Sequence, residues 1–197
     1  MNRLIVDKDT QLRLLTQADA DALNDCVQTN IDYLSEYIET DYMKDLTAVQ
    51  AYIENLSIQY DVSVAIFMGL FYKERLIGMR GFHNIALNNY SAEIGGWIDF
   101  DHQGQGISKT STVSLMAYAF EVLGLNRLTM LVVEHNAPSI KLCEALGFRL
   151  ESTEQASVFL NGQFKNRHVY VAFKKDWFDQ KKENINDSDC DINSLFE

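Results

Sequence analysis

The chain has 197 residues, 47% of them hydrophobic and only one proline, which is enough for a single domain with a full core. A net charge of −11 argues against direct binding to nucleic acid phosphates; it favours a cationic partner, or serves solubility alone. No apolar run reaches 18 residues and no signal peptide is visible, which predicts a cytoplasmic protein without membrane contact.

The cysteines and histidines predict neither a disulfide framework nor a metal site. Three widely spaced cysteines, Cys26, Cys143 and Cys190, fit a reducing compartment. The four histidines make no HExxH motif and no close pair with a cysteine, so we expect no metal.

The first third of the chain predicts strands followed by two helices. RLIVDKDTQLRLL is typical of one or two strands, and ADADALNDCV of a helix with Leu23 and Val27 on one face. Thr47 is the predicted N-cap of the next helix, AVQAYIENLSIQY. Its apolar stripe comprises Val49, Ile53, Leu56 and Tyr60.

Three β-prone segments then predict an antiparallel meander: SVAIFMGLFY, RLIGMRGFHNI and SAEIGGWIDF. The segment DHQGQGIS follows and places two glycines between a strand and a helix. It matches neither a dinucleotide fingerprint, which needs a small residue where Lys109 stands, nor a Walker loop, which needs glycine at Ser108. The glycines predict either a tight turn or a turn whose backbone N–H groups meet an anion at the helix N-terminus.

The second half of the chain predicts two more helices, a central strand and a final strand pair. The first helix carries Val113, Met116, Phe120 and Leu123 at helical spacing, and RLTMLVV is the predicted central strand. Asn136 is the predicted N-cap of APSIKLCEALG, with Pro138 in the first turn and Gly147 at the C-terminal cap. FRLESTEQASVFL and RHVYVAFKK pair across the loop NGQFK. We expect one domain over residues 1–178 and an acidic, flexible tail over 179–197.

Four of these segments together carry a family resemblance. AEIGGWID, DHQGQGI, the Asn-x-x-Ser helix start and its LGF end resemble the GCN5-related N-acetyltransferase (GNAT) superfamily, and within it the RimJ/RimL-type ribosomal-protein acetyltransferases. The similarity is specific from about residue 90 to 163, and before that it extends mainly to the order of elements. It implies a mixed α/β fold with a central, mostly antiparallel twisted sheet that is flanked by helices and splayed at an acetyl-CoA site.

The resemblance also implies which residues bind acetyl-CoA, without a metal. Ile98 would offer backbone groups to the pantetheine arm, and Asn136 would reach the cofactor while capping its helix. The pyrophosphate would meet the backbone amides of Gln103, Gly104, Gln105, Gly106, Ile107 and Ser108. One departure is Asp101, because the superfamily pattern has Arg or Gln at that position.

Two catalytic residues follow from the same resemblance. Glu93 occupies the position at which related histone acetyltransferases carry their base, and Ser139 matches the serine proposed to protonate the departing thiolate. Each also has a plain interpretation, as a solvated strand glutamate and a helix-start serine. A second position for the base precedes the FLN turn, where this chain has Val158 and no acid.

Cys143 and His83 are weaker candidates. Cys143 shares a helical face with Asn136 and Ser139, which invites an acetyl-cysteine hypothesis, but the stripe Ile140, Cys143 and Leu146 favours a buried apolar residue. His83 would line an acceptor cleft or lie at the surface.

These features together predict an acetyl-CoA-dependent N-acetyltransferase acting on a primary amine. An α-amine, with a pKa of about 7.8, needs less help from a base than lysine at about 10.4, by about 3 kcal/mol. This favours a protein N-terminus, such as that of a basic ribosomal protein. The alternatives are a polyamine or antibiotic acetyltransferase and a CoA-binding module without turnover. A homo-oligomer is a further expectation from the resemblance.

Overall fold

The computed structural model describes residues 2–185, in which eight strands form one sheet. The strands are β1 (Arg3–Ile5), β2 (Thr10–Arg13), β3 (Ile66–Tyr72), β4 (Arg75–Ala86), β5 (Ser91–Ile98), β6 (Arg127–Val133), β7 (Arg149–Leu160) and β8 (Gln163–Phe173). Their order in the sheet is β1-β2-β3-β4-β5-β6-β8-β7, and every neighbouring pair is antiparallel except β5 and β6. The predicted mixed α/β fold is confirmed.

Helices flank the sheet and close two apolar cores. They are α1 (Ala20–Thr29), α2 (Ile31–Ser35), α3 (Leu46–Asp61), α4 (Ile107–Ala117), α5 (Ala137–Ala145) and α6 (Lys174–Ile185). The predicted faces of α1 and α3 are buried in one core with Met79 and Trp97, including Leu23, Val27 and Ile53. The exception is Tyr60, at the end of the predicted stripe of α3, which is half-buried and packs against the other core. The other core contains α4 and the opposite side of the sheet. Burial of both sheet faces fixes the central strands between two helical layers.

The parallel pair β5 and β6 is short, and this opens the sheet. The two strands pair only from Ser91 with Arg127 to Glu93 with Thr129. β5 then continues to Ile98, bonded on its other side to β4, while β6 continues to Val133, bonded on its other side to β8. The facing edges of β5 and β6 therefore diverge into a gap in the middle of the sheet, as the family resemblance implies.

Two local predictions are wrong in detail. The cap of α3 is Asp45 rather than Thr47: the Asp45 carboxylate accepts a hydrogen bond from the Ala48 N–H at 2.8 Å, so the helix begins two residues earlier than predicted. The last hairpin turns at Asn161 and Gly162 alone, not over NGQFK, and both have positive φ (49° and 75°). Two such residues suit a tight hairpin turn, which lets β8 begin at Gln163.

The chain after β8 forms α6, which extends to Ile185 and so includes the first residues of the predicted acidic segment 179–197. The rest of that segment, from residue 186, lies outside the described residues. Between residues 2 and 185, no helix combines the length and apolar character needed to cross a membrane.

Candidate active site

The gap between β5 and β6 forms a cleft of about 430 Å³. Its walls are the diverging strands, the glycine turn with the first turn of α4, the start of α5, and α2. Of the predicted cofactor residues, those that line the cleft are Ile98, Gln103, Gly104, Gly106, Ile107, Ser108 and Asn136, together with Ser139. Gln105 is exposed outside this lining, and its side chain donates to the Asp101 carbonyl at 3.0 Å. One cleft thus collects residues separated by more than forty positions.

The glycine turn has the geometry of an anion site. Gly104 and Gly106 adopt φ angles of +70° and +82°, which favour glycine, and a Cβ at either position would meet no protein atom within 4 Å. Helix α4 has no side-chain N-cap, and the Thr110 N–H bonds to the Gly106 carbonyl at 3.0 Å. The N–H groups of the preceding first turn therefore have no intrahelical acceptor, and they face open space at the positive end of the helix dipole.

Asn136 and Ser139 lie on the other wall of the cleft. The Asn136 side-chain oxygen accepts from the Ser139 N–H at 3.1 Å, so the predicted N-cap of α5 is confirmed. The Ser139 hydroxyl has no hydrogen-bond partner within residues 2–185. It is free to donate a proton into the cleft.

The charged side chains that line the cleft are all cations. They are Arg80, Lys109 and Lys141, and no Asp or Glu is among the lining residues that the structure describes. The whole chain has 28 acidic and 17 basic residues, so the cleft has the opposite charge to the molecule. An anionic ligand would be attracted to it in spite of the overall charge.

Comparison with known proteins agrees with this geometry. The profile of the acetyltransferase (GNAT) domain matches residues 10–149. The chain therefore belongs to the GNAT acetyltransferase family. It is 29% identical over 180 residues to "Putative ribosomal N-acetyltransferase YdaF" of Bacillus subtilis (strain 168), covering 89% of this chain and 97% of the relative.

Two further proteins similar to this chain are named for the modification of ribosomal proteins. The ribosomal-protein-serine acetyltransferase of Escherichia coli (strain K12) is 32% identical over 102 residues, 52% of this chain and 57% of the relative. The solved structure of RimL, a ribosomal L7/L12 alpha-N-protein acetyltransferase in complex with coenzyme A, superposes with a TM-score of 0.82 at 23% identity. That superposition covers 87% of this chain and 97% of RimL, and it shows a shared fold.

Glu93 of the acetyltransferase lies beside the cleft rather than among its lining residues. It is the last residue of β5 that pairs with β6, and it shares a sheet face with Gly95, which does line the cleft. Two residues of strand separate them by about 7 Å. The Glu93 carboxylate accepts from the Asn84 side chain at 2.9 Å.

His83 is the cross-strand partner of Glu93 and also lies outside the lining. Its ring packs against Phe67 with centroids 4.2 Å apart. Burial lowers the pKa of His83, against a smaller opposing effect of the Glu93 charge, so the ring is held neutral at physiological pH.

Cys143 is a buried apolar residue, as the stripe on α5 predicts. Its side chain is 0% exposed and packs against Met130, with the two sulfurs 3.2 Å apart. Burial raises the pKa of the thiol to about 12, so the reactive thiolate is disfavoured.

Several residues that line the acetyltransferase cleft were not predicted from the sequence, among them Tyr33, Tyr37 and Arg80. Tyr33 lies in α2 and packs against Phe100, with ring centroids 5.8 Å apart, and Tyr37 lies two residues after the end of α2 and packs against His135 at 5.7 Å. Helix α2 and the residues that follow it therefore lie across the cleft, from the segment before the glycine turn to the residue before Asn136. Arg80 is the third, and its only sequence signal is a charge in the otherwise apolar run LIGMRGF.

Proposed function

We propose that this acetyltransferase moves the acetyl group of acetyl-CoA to the α-amine of a protein N-terminus, with ribosomal proteins of the same cytoplasm as acceptors. The observation that supports acetyl-CoA as the donor is the cationic cleft at an uncapped helix N-terminus, in a chain of net charge −11. The names of the ribosomal-protein relatives support the acceptor.

The donor would lie along the diverged strands. The open edge of β5 near Ile98 would hydrogen-bond the amides of the pantetheine arm as a neighbouring strand would. The backbone N–H groups from Gln103 to Ser108 would hold the pyrophosphate, and Asn136 would contact the arm from the β6 side.

The acceptor would enter beneath α2. Tyr33 and Tyr37 offer aromatic faces there, and such faces attract an ammonium group before it loses its proton. An α-amine suits a site whose base is not in direct contact, because it is partly neutral at pH 7.4. Glu93 would accept the proton through one bridging water, and Ser139 would donate to the departing thiolate.

The proposal is tested by release of free thiol from acetyl-CoA across a panel of acceptors. The panel contains a peptide with a free N-terminus and an internal lysine, the same peptide with a blocked N-terminus, spermidine and an aminoglycoside. We expect rapid turnover with the free peptide alone, and mass spectrometry should locate the acetyl group on its α-amine.

Equal turnover of the blocked peptide would show a lysine acetyltransferase. A preference for spermidine or the aminoglycoside would assign a small-molecule substrate. Binding of acetyl-CoA without thiol release from any acceptor would leave a CoA-binding module and overturn the proposal.

A further inference from the structure

Within residues 2–185, Arg80 is a buried charge without a carboxylate partner. It lies in the middle of β4, opposite Gly96 of β5, and only 3% of it is exposed. One guanidinium nitrogen, Nη1, donates to the Thr112 hydroxyl at 2.7 Å, and Nη2 donates to the Ser108 hydroxyl at 3.2 Å. The third, Nε, is buried and has no acceptor within residues 2–185. No Asp or Glu in that part of the chain forms an ion pair with it.

The surroundings of Arg80 make this charge more unfavourable still. Both of its partners lie on the first turns of α4, where the helix dipole is positive. Burial lowers the pKa of Arg80 to about 10, which leaves it protonated at neutral pH. Buried charges are normally paired, because desolvation of an unpaired ion is costly. The arginine and the uncapped helix N-terminus therefore lie at one place, and a bound anion would stabilise both.

The Ser108 hydroxyl links the guanidinium charge of Arg80 to the cleft. Its hydroxyl oxygen accepts from Arg80, so its own proton is available for another acceptor. Ser108 and Arg80 both line the cleft beside Gly106. The Thr112 hydroxyl, in contrast, has no proton left for a ligand, because it accepts from Arg80 and donates to the Ser108 carbonyl at 2.7 Å.

We propose that Arg80 is the buried counter-charge of the donor's pyrophosphate, acting through the Ser108 hydroxyl at the first turn of α4. The identification of the anion as the acetyl-CoA pyrophosphate rests on the proposed function. Arg80 is then a positioning residue, because it polarises the Ser108 hydroxyl towards the anion. A charge-assisted hydrogen bond of this kind contributes about 1.5–3 kcal/mol, which corresponds to about a tenfold to a hundredfold change in affinity.

The simplest competing role is structural, since the same two hydrogen bonds fasten α4 to β4. The two roles differ in what they predict for ligands. A structural clamp affects every ligand of the cleft alike, whereas a counter-charge affects those that carry a pyrophosphate.

The experiment compares Arg80→Met, Arg80→Lys and Ser108→Ala with the wild type. Calorimetric titration gives the affinity for coenzyme A, turnover of S-acetylpantetheine gives the effect on a donor without pyrophosphate, and melting temperatures with and without inorganic pyrophosphate report the anion directly. We expect Arg80→Met to weaken coenzyme A binding about tenfold to a hundredfold and to abolish stabilisation by pyrophosphate. Its kcat/KM for S-acetylpantetheine should stay within about twofold, and Arg80→Lys should recover part of the affinity.

Ser108→Ala decides the question if Arg80→Met does not fold, because Ser108 is only partly buried. It should weaken coenzyme A binding several-fold and reduce the pyrophosphate-induced shift in melting temperature. The inference would be overturned, with the proposed function left intact, if a folded Arg80→Met protein bound coenzyme A with wild-type affinity. If Arg80→Met does not fold, wild-type affinity in Ser108→Ala would have the same meaning. An equal loss of kcat/KM with S-acetylpantetheine would also overturn the inference. A wild-type protein that does not bind coenzyme A would overturn the proposed function, and the inference with it.

Discussion

At the scale of single residues, Glu93 and Ser139 face unequal chemical demands. A thiolate with a pKa of about 8.5 leaves readily without full protonation, whereas the amine enters as a cation and must lose its proton. We therefore predict that Glu93→Gln lowers kcat/KM about a hundredfold and Ser139→Ala less than about tenfold. The measurement is a steady-state rate with the best peptide at pH 7 and saturating acetyl-CoA.

The pH profile distinguishes a lost base from a damaged fold. The Glu93→Gln defect should shrink as pH rises towards the pKa of the acceptor amine, because solvent then supplies the neutral amine. A defect independent of pH would point to misfolding. If Glu93→Gln kept the wild-type kcat/KM while Ser139→Ala lost most of it, Glu93 would not be the base.

Gly106 is predicted to be needed both for the backbone conformation of the turn and for ligand binding. At φ +82° an alanine is strained, by about 1–2 kcal/mol, and its Cβ would stand in the open space before the helix N-terminus. Gly124 is a matched control, with φ +69°, equally open surroundings and a position outside the cleft lining. We expect Gly106→Ala and Gly124→Ala to lose similar stability in urea unfolding. Only Gly106→Ala should weaken acetyl-CoA binding, by at least about tenfold in a calorimetric titration. Equal affinities in the two variants would contradict an anion site at this turn.

At the scale of elements, α3 shows how a cap is chosen. Asp45 and Thr47 are both residue types that cap helices, but only Asp45 bonds to the Ala48 N–H. We predict that Asp45→Ala lowers the free energy of unfolding by about 1 kcal/mol and that Thr47→Ala, at an exposed position inside the first turn, changes it by less than about 0.5 kcal/mol. Denaturant unfolding measures both, and neither variant should lose activity, since α3 does not line the cleft. A larger loss of unfolding free energy for Thr47→Ala than for Asp45→Ala would indicate that Thr47 is the N-cap.

At the scale of the whole molecule, the charge is divided between a negative surface and a cationic cleft. If the net charge of −11 steers a cationic acceptor, kcat/KM for that acceptor should fall as salt shortens the Debye length from about 30 to about 8 Å. The measurement uses saturating acetyl-CoA, and a peptide with the same N-terminus and an acidic tail is the control. That control should be unaffected or accelerated. A flat profile for the cationic peptide would mean that the acidity serves solubility alone.

The sequence by itself determined the features whose causes lie within a few residues of each other. Helical and alternating apolar patterns located the elements, Asn136 identified the start of α5, and the two glycines of DHQGQGIS identified a turn at a helix N-terminus. Each depends on backbone preferences or on one local hydrogen bond. Two local errors concern where an element begins. Asp45 and Thr47 are both residue types that cap helices, and the Asn161-Gly162 pair that closes the hairpin is only the start of the segment predicted as a loop.

Only the tertiary structure decided the features that depend on distant pairing. The cleft exists because residues 91–93 pair with 127–129 and the strands then separate, which no local pattern encodes. The packing of elements far apart in the chain brings Tyr33 of α2 and the following Tyr37 into the cleft wall and places Glu93 beside the cleft. The charge of Arg80 is visible in the sequence, but its lack of a carboxylate partner among the residues that the structure describes depends on every element packed around it, because electrostatic pairing is a property of the assembled interior.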